Sequence, residues 1–505
     1  MYLPIETVRE ILTSCGYEGY EKIYLSSEIG LRKKTGSLFK HFISDSGITP
    51  KNHIHIGDAL RSDYLRALLS GLHALKIPRK PKRSRYTKTR GLKTECRDQY
   101  AKYQSVICNM TDPDSNEYYQ YGFEVVGMAL YGMCCWLHER FTERKHDKVF
   151  FIARDGYIMR EAYNLLFGEK AVNNSYLYIS RKSLRIPQIW MNNTLEAIFG
   201  TGTQYRRWNY EQICSWLNID SSLGLEVWRS CGLSEDEELL AGQIISDKRT
   251  QKFFEHFKNN LAAESRREFD KVLDYLRQEG FSGSVGIVDI GWVGHIQNYL
   301  RQYVFHSDLN ADINGYYFGL IRKDITGDKA ESFVPQEMQP SYFCSLLLEY
   351  PITKQEGSVK GYVRNESSIV LPVLDDYEFS GSDDEKIIGY IQKGALDFIA
   401  VMKDGYGYEH ADYSVGYAKL RQVTKFPTLK QANLFGGLSY TNENRTLKMS
   451  APSGILHYTI NPREFMNDFS SCGWVDGFLK RLLKIPFPYD KFLSLIRKVM
   501  ERKHK

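Results

Sequence analysis

Apolar and polar residues alternate at helix and strand spacing through the first 78 residues. The apolar positions predict helices at 5–12, 38–43 and 59–69, and short strands at 23–25 and 53–56. The second of these strands runs into Gly57 and Asp58. A carboxylate at the carboxyl end of a parallel strand lies where α/β folds bind ligands, so this strand end is a candidate site.

A second alternating pattern extends from about residue 97 to residue 374. It predicts strands at 148–153, 176–179, 284–288 and 312–320, separated by helices. The first three strands end in polar or glycine residues, which are Arg154, Asp155 and Gly156, then Ser180 and Arg181, then Asp289 with Gly291, Gly294 and His295. In a parallel sheet these ends meet at one edge, where glycines let the backbone approach a phosphate and a helix start offers N–H donors. The sequence therefore predicts a ligand site here as well.

These strand ends also have structural interpretations, which the sequence leaves open. Arg154 and Asp155 can pair with each other to cap the turn, and the glycines can simply permit a tight strand-to-helix connection. His295 can act as an acid or base together with Asp289, or it can be an ordinary surface or capping histidine. The glycine spacing is neither a Walker loop nor a dinucleotide fingerprint, so it indicates no nucleotide class.

Composition and length indicate a folded protein of two or three domains. The 505 residues are 42% hydrophobic and 13% aromatic, which argues against disorder. The richest apolar stretch, 125–137, is interrupted by Gly127 and Gly132 and is predicted to be a buried helix. Nine cysteines without any Cys-x-x-Cys spacing, and no signal peptide, lead us to expect a cytoplasmic protein with free thiols.

The positive charge is concentrated in one segment. Residues 76–93 contain nine basic and no acidic residues, so the net charge of +6 becomes −3 outside this segment. Two prolines and little hydrophobicity predict a linker at 79–96. A basic linker can contact anionic lipid, an acidic glycan or nucleic acid, or remain solvated; we do not expect nucleic acid, because no recognised nucleic-acid motif accompanies it.

Residues after 375 have a different character. An acidic loop at 380–385 precedes stretches with helical spacing at 386–403, 413–423 and 487–503. The chain is therefore predicted to finish in a mainly helical region, 375–505.

Several of these residues resemble the haloacid dehalogenase-like (HAD) phosphohydrolase superfamily, and more narrowly its predicted hydrolases associated with bacterial surface-polysaccharide biosynthesis. In the first region the similar residues are Lys33, Asp58 and Asp63. In the second they are 152–157, 178–181 and 288–297, where His295 replaces the small residue that is usual in the family. A loop and hairpin with Glu349 and Ser358 is also similar and would close over a ligand.

The resemblance covers residues 1 to about 375, and it implies roles for the first region. Lys33 would stabilise a phosphoryl group or aspartyl-phosphate, and Asp58 and Asp63 would hold Mg²⁺. The family's nucleophilic aspartate and its second-strand Ser or Thr would lie before Met1, so we expect that this chain alone does not run the HAD reaction. A late start codon or shortened gene, a split enzyme completed by a missing N-terminal fragment, and a degenerate domain are the three explanations.

The expected fold class is α/β, with a partial HAD-like Rossmannoid domain at 1–78, a second, Rossmann-like α/β domain at 97–374 and the helical C-terminal region. The expected function is that of a hydrolase-like protein of surface-polysaccharide or phosphosugar metabolism, whose central domain binds a phosphorylated or nucleotide-linked sugar. Glycosyl transfer, phosphoryl transfer and hydrolysis all stay open for that domain. The alternative is a catalytically inactive scaffold that docks on an anionic partner through the basic linker.

Overall fold

The computed structural model describes residues 3–77, 115–200, 207–321, 326–335, 346–405, 414–442 and 445–485, and the single positions 100, 103, 106, 107, 110 and 489. Contacts divide the chain into two compact units, Met1–Ser84 and Arg85–Lys505. The predicted basic linker lies outside the described residues, as does the predicted helix at 487–503 apart from Tyr489. The predicted domain boundaries stay predictions.

The first unit is a small α/β arrangement. Its elements are α1 (Ile5–Ser14), α2 (Ser26–Ile29), α3 (Ser37–Ser46), β1 (Ile54–Gly57), a π-helical turn at Leu60–Leu65 that continues into α4 (Arg66–Leu69), and β2 (His73–Lys76). β1 and β2 are parallel, and their core is formed by Phe39, Ala67 and Leu72.

The predicted strand at 23–25 is wrong. This segment is irregular. Side-chain contacts, and not hydrogen bonds to a neighbouring strand, hold it in place. Tyr24 packs edge-on against Phe42 and its hydroxyl donates to Asp45, and Leu25 is buried.

The second unit is built on a five-stranded parallel sheet. The strands of this unit in chain order begin with β3 (Lys148–Ile152) and β4 (Asn174–Leu177). A separate antiparallel pair follows, β5 (Arg207–Trp208) and β6 (Leu239–Leu240). The chain then returns to the parallel sheet with β7 (Gly283–Asp289), β8 (Ala311–Tyr317) and β9 (Ala330–Ser332). The sheet order is β4-β3-β7-β8-β9, and every neighbouring pair is parallel. The predicted strands at 148–153, 176–179, 284–288 and 312–320 are thus confirmed with small changes at their ends.

Helices cover both faces of this sheet. The helices up to this point of the chain are α5 (Glu117–Tyr121), which passes through a π-helical turn at Gly122–Val126 into α6 (Gly127–Arg144), α7 (Asp155–Phe167), α8 (Arg181–Arg185), α9 (Leu195–Phe199), α10 (Tyr210–Leu217), α11 (Ser221–Ser230), α12 (Ala241–Ser246), α13 (Lys248–Gln278) and α14 (His295–Phe305). Of these, α9 to α12 pack in a separate hydrophobic core and not on the sheet. Val149 and Phe151 of β3 pack in one hydrophobic core, and Phe150 and Ile152 in another. Because successive strand residues point to opposite faces, β3 separates two buried layers, as an almost continuous apolar strand requires.

The remaining elements are α15 (Leu346–Ile352), the hairpin β10 (Val359–Arg364) and β11 (Val370–Leu374), α16 (Asp383–Gly405), α17 (Ser414–Lys425), α18 (Leu429–Gly436), the hairpin β12 (Ser439–Asn442) and β13 (Arg445–Lys448), α19 (Ile455–Ile460), α20 (Pro462–Ser471) and α21 (Val475–Leu483). α16 shares its core with the start of the unit, where the rings of Phe398 and Phe123 are 5.4 Å apart. The predicted α/β class with a helical C-terminal region is confirmed.

Within the described ranges, every helix is too short or too polar to cross a lipid bilayer.

Candidate functional site

The carboxyl ends of β4, β3 and β7 lie side by side at one edge of the sheet. β3 lies between the other two, so the chain moves to one side of β3 for β4 and to the other side for β7. Such a reversal opens a crevice at the carboxyl edge, where α/β sheets bind ligands. A cavity of about 400 Å³ occupies this crevice.

Arg154 joins β3 to α7 in an unusual conformation. Its φ of 72° is uncommon for a residue with a side chain, and two backbone contacts hold it. The Arg154 N–H donates to Tyr176 Oη at 2.6 Å, and its carbonyl accepts the Lys354 N–H at 3.1 Å. The guanidinium donates to Ser358 Oγ at 3.0 Å and forms an ion pair with Glu378. The carboxylate that pairs with Arg154 is therefore that of Glu378, and the predicted pair with Asp155 does not form.

The connection from β7 to α14 needs glycine at two positions. Gly291 has a φ of 123°, and a Cβ there would lie 1.9 Å from the Gly319 carbonyl oxygen. Gly294 has a φ of 81°, and a Cβ there would lie 2.1 Å from Thr326 Cγ2. Packing alone thus requires both glycines, and they bring the start of α14, with His295, to the cavity wall.

Ser180 and Arg181 have different roles at the end of β4. The Ser180 hydroxyl accepts the Ser183 N–H at 3.0 Å and donates to the Val359 carbonyl at 2.6 Å, so it caps α8 and ties it to β10. Arg181 lines the cavity, and its guanidinium has no hydrogen bond or ion pair with the residues that the structure describes. Arg181 is a cation available to an anionic ligand.

Residues 349–358, here called the cover segment, close one side of the cavity. Thr353 Oγ1 lies 2.9 Å from Asp155 Oδ1 and 2.9 Å from the Glu349 carbonyl oxygen. Trp292 Nε1 donates to Glu349 Oε1 at 2.5 Å. The segment is therefore joined to the ends of both β3 and β7.

Lys354 attaches the cover segment to three tyrosines. Its Nζ lies 2.7 Å from Glu356 and about 5 Å from the ring centres of Tyr157, Tyr176 and Tyr178. Tyr176 Oη in turn donates to Glu356 at 2.6 Å. Because Tyr176 also accepts the Arg154 N–H, these contacts hold the unusual turn and the cover segment together.

Of the carboxyl groups that line the cavity, Asp155 and Asp289 have raised pKa values. Burial and the charge of Asp155 together raise the pKa of Asp289 to about 7, although the Ile290 N–H at 2.8 Å and Arg181 act to lower it. Burial also raises the pKa of Asp155, although the Thr353 hydroxyl and the charges of Arg154 and Arg181 act to lower it. A carboxyl group with a pKa near 7 can both donate and accept a proton at neutral pH.

The structure brings most of the predicted site residues of the second unit together. Those that line the cavity are Arg154, Asp155, Ser180, Arg181, Asp289, Gly291, Gly294, His295, Glu349 and Ser358. Gly156 is not among them, since it packs against the Phe151 backbone at the start of α7. Sequence reasoning missed Trp292, Thr353 and Glu378; the first two lie inside or between the quoted motifs, whereas Glu378 gave no signal.

The predicted residues of the first unit lie near the end of β1. Lys33 Nζ is 2.8 Å from Asp63 Oδ1, and the Ala59 N–H donates to Asp63 Oδ2 at 3.1 Å. Burial raises the pKa of Asp63, but Lys33 and the Ala59 N–H outweigh burial and leave it below its ordinary value. Asp58, directly after β1, is half-buried.

The donor set of the first unit does not by itself fit a magnesium site. Mg²⁺ prefers six oxygen ligands, whereas both oxygens of Asp63 already have partners from the protein. Among the described residues, no group of three or more His, Cys, Asp or Glu side chains is placed to hold a metal ion. The magnesium site stays a prediction.

Comparison with known protein families and with curated proteins gives no match for this chain. The resemblance to HAD-type hydrolases therefore stays a prediction that rests on the residues quoted for it.

Proposed function

We propose that the second unit binds a phosphorylated or nucleotide-linked sugar of surface-polysaccharide metabolism and acts on it by acid–base chemistry. One observation carries the proposal: the guanidinium of Arg181, which has no hydrogen bond or ion-pair contact with the described residues, lines the same cavity as Asp289, whose pKa is raised to about 7. A free cation recognises an anionic group, and a carboxyl group that titrates near neutrality moves protons.

Each part of the cavity has a task in this proposal. Arg181 binds the phosphate, supported by N–H groups at the start of α14. Trp292 offers an apolar surface to the sugar ring, and Glu349, oriented by the Trp292 N–H, accepts a hydrogen bond from a sugar hydroxyl. Asp289 exchanges a proton with the reacting oxygen. Arg154 is already paired with Glu378 and shapes the site rather than binding the anion.

Calorimetric titration of the full chain with sugar phosphates and nucleotide-linked sugars tests the proposal. Arg181→Ala should weaken binding about tenfold to a hundredfold, because a hydrogen bond to a charged group contributes roughly 1.5–3 kcal/mol. Lys182→Ala is the matched control, since it removes a neighbouring cation that does not line the cavity. Equal binding by parent and Arg181→Ala, or no binding of any compound by the parent, contradicts the proposal.

The scaffold alternative makes a different prediction for the same protein. It expects no sugar ligand and salt-sensitive binding of an anionic partner that disappears when residues 79–93 are neutralised. The two functions are therefore separated by whether Arg181 or the basic segment controls binding.

A HAD-type phosphatase site in the first unit is a second candidate, favoured by the contact between Lys33 and Asp63. Phosphate release from a sugar phosphate by the full chain, measured with and without Mg²⁺, tests this candidate. Magnesium-dependent release that is lost in Asp63→Asn but kept in Asp45→Asn would show a complete site. Asp45 is a suitable control because it pairs with Lys22 at 2.5 Å elsewhere in the same unit.

A further inference from the structure

We propose that Thr353 is a positioning residue that keeps Asp155 ionised and so leaves the exchangeable proton of the cavity on Asp289. This inference rests on the proposed function, because it assigns the acid and the base of that site. It concerns a hydroxyl in the cover segment that no sequence motif singled out.

The geometry of Thr353 links its hydroxyl to the protonation of Asp155. Thr353 Oγ1 is 2.9 Å from two oxygens, Asp155 Oδ1 and the Glu349 carbonyl, but a hydroxyl has only one hydrogen to donate. If that hydrogen points to Asp155, it stabilises the ionised carboxylate more than the neutral acid, because a charged oxygen is the stronger acceptor. If it points to Glu349, Asp155 Oδ1 must carry a proton itself to keep a hydrogen bond.

The position of Thr353 is fixed by its surroundings. The residue is 8% exposed, and Gln392 Nε2 donates both to its carbonyl at 2.9 Å and to the Pro351 carbonyl at 3.0 Å. Its hydroxyl therefore stays within reach of Asp155, and only the direction of its hydrogen remains to be decided.

The charges around the two carboxyl groups decide that direction. Burial and the charge of Glu378 act against the ionised form of Asp155, whereas the Thr353 hydroxyl and two cations, Arg154 and Arg181, favour it. The charges around Asp289 favour its ionised form less than those around Asp155 favour the ionised form of Asp155. Its charged and titratable neighbours are Asp155, Glu349, Tyr317 and Arg181, and of these only Arg181 is a cation. One negative charge is thus better placed on Asp155, with the Thr353 hydrogen directed to it.

A pH titration of the full chain by infrared difference spectroscopy tests this assignment without any ligand. The signal is the C=O band of protonated carboxyl groups. We expect a band that disappears near pH 7 in the parent, that persists in Asp155→Asn but disappears at lower pH because the charge of Asp155 is gone, and that is absent in Asp289→Asn. Such a band in Asp289→Asn together with its absence in Asp155→Asn would overturn the assignment of the proton.

Thr353→Val tests the positioning role, because it removes the hydroxyl and keeps the shape. The midpoint at which Asp155 ionises should rise by about one pH unit, the equivalent of one hydrogen bond, and Thr353→Ser should restore it. Unchanged midpoints in a folded Thr353→Val protein would refute the role, as would a Thr353→Ser protein that titrates like the valine variant. A failure of the sugar-binding titrations would leave these midpoints unaffected, so the two proposals can fail separately.

Discussion

Replacing Asp289 with Asn should make the second unit more stable at pH 8 than the parent protein. The pKa of Asp289 rises from its ordinary 3.8 to about 7, and each pH unit corresponds to about 1.4 kcal/mol. Ionising this carboxyl in the folded state therefore costs about 4 kcal/mol more than in the unfolded chain. Asn removes this cost, since it carries no charge and still accepts the Ile290 N–H.

The parent protein should lose this stability between about pH 4 and pH 7. The folded protein keeps a proton that the unfolded chain has released, so stability falls as the pH rises from about 4 to about 7. Above pH 7 the full cost is present. Asp289→Asn should thus equal the parent near pH 4 and exceed it by up to about 4 kcal/mol at pH 8, because the side chain is only 8% exposed and little screened by solvent.

Urea unfolding followed by tryptophan fluorescence is the appropriate assay, because all seven tryptophans lie in the second unit. Asp236→Asn, the same change at an exposed aspartate of that unit, should have no effect at either pH. If Asp289→Asn gains no stability between pH 4 and pH 8 relative to the parent, the reasoning about the buried carboxyl is refuted.

Three further predictions concern other parts of the second unit. Gly291→Ala should cost more than about 3 kcal/mol in urea unfolding, because its Cβ would overlap a carbonyl oxygen, whereas Gly242→Ala, which has open space on α12, should be neutral or stabilising. Burial lowers the pKa of Lys419 from 10.5 to about 7, although the charge of Glu124 acts to raise it. The folded state therefore loses stability as the pH falls below the unfolded pKa, and Lys419→Met should stabilise by about 4 kcal/mol at pH 7 and by less at pH 10. Lys354→Met should accelerate hydrogen exchange in the cover segment without changing exchange in β3, since it removes the contacts to the three tyrosines.

The sequence was sufficient to predict the edge of the sheet where the cavity lies. β3 and β7 are mainly apolar runs that end at polar residues, and parallel strands place their carboxyl ends at one edge, so Asp155, Arg181 and Asp289 were expected to converge. The short strand β9, Ala-Glu-Ser, has no such pattern and was not predicted. The pattern also predicted a strand at 23–25 that does not form, because apolar spacing does not show whether a partner strand is present.

The partners of the site residues could not be predicted. Arg154 pairs with Glu378, a residue 224 positions away, in a loop that carries no pattern of its own. The sequence indicated that the Ser180 hydroxyl binds a ligand, but this hydroxyl donates a hydrogen bond to the Val359 carbonyl of β10. Such contacts depend on how distant elements dock, and local spacing contains no information about that.

The position of β3 between β4 and β7 has a consequence for how the protein is made. The ribosome completes β3 and β4 early, whereas β7 follows only after the helices α8 to α13. Until β7 docks, one edge of β3 is unpaired, and such edges invite aggregation. The segment from α9 to the first half of α13 has a core of its own, including Trp208 of β5, Trp228 and Phe253, so it can fold first and bring β7 close. Newly made chains should therefore depend on chaperones most strongly in the interval between β4 and β7.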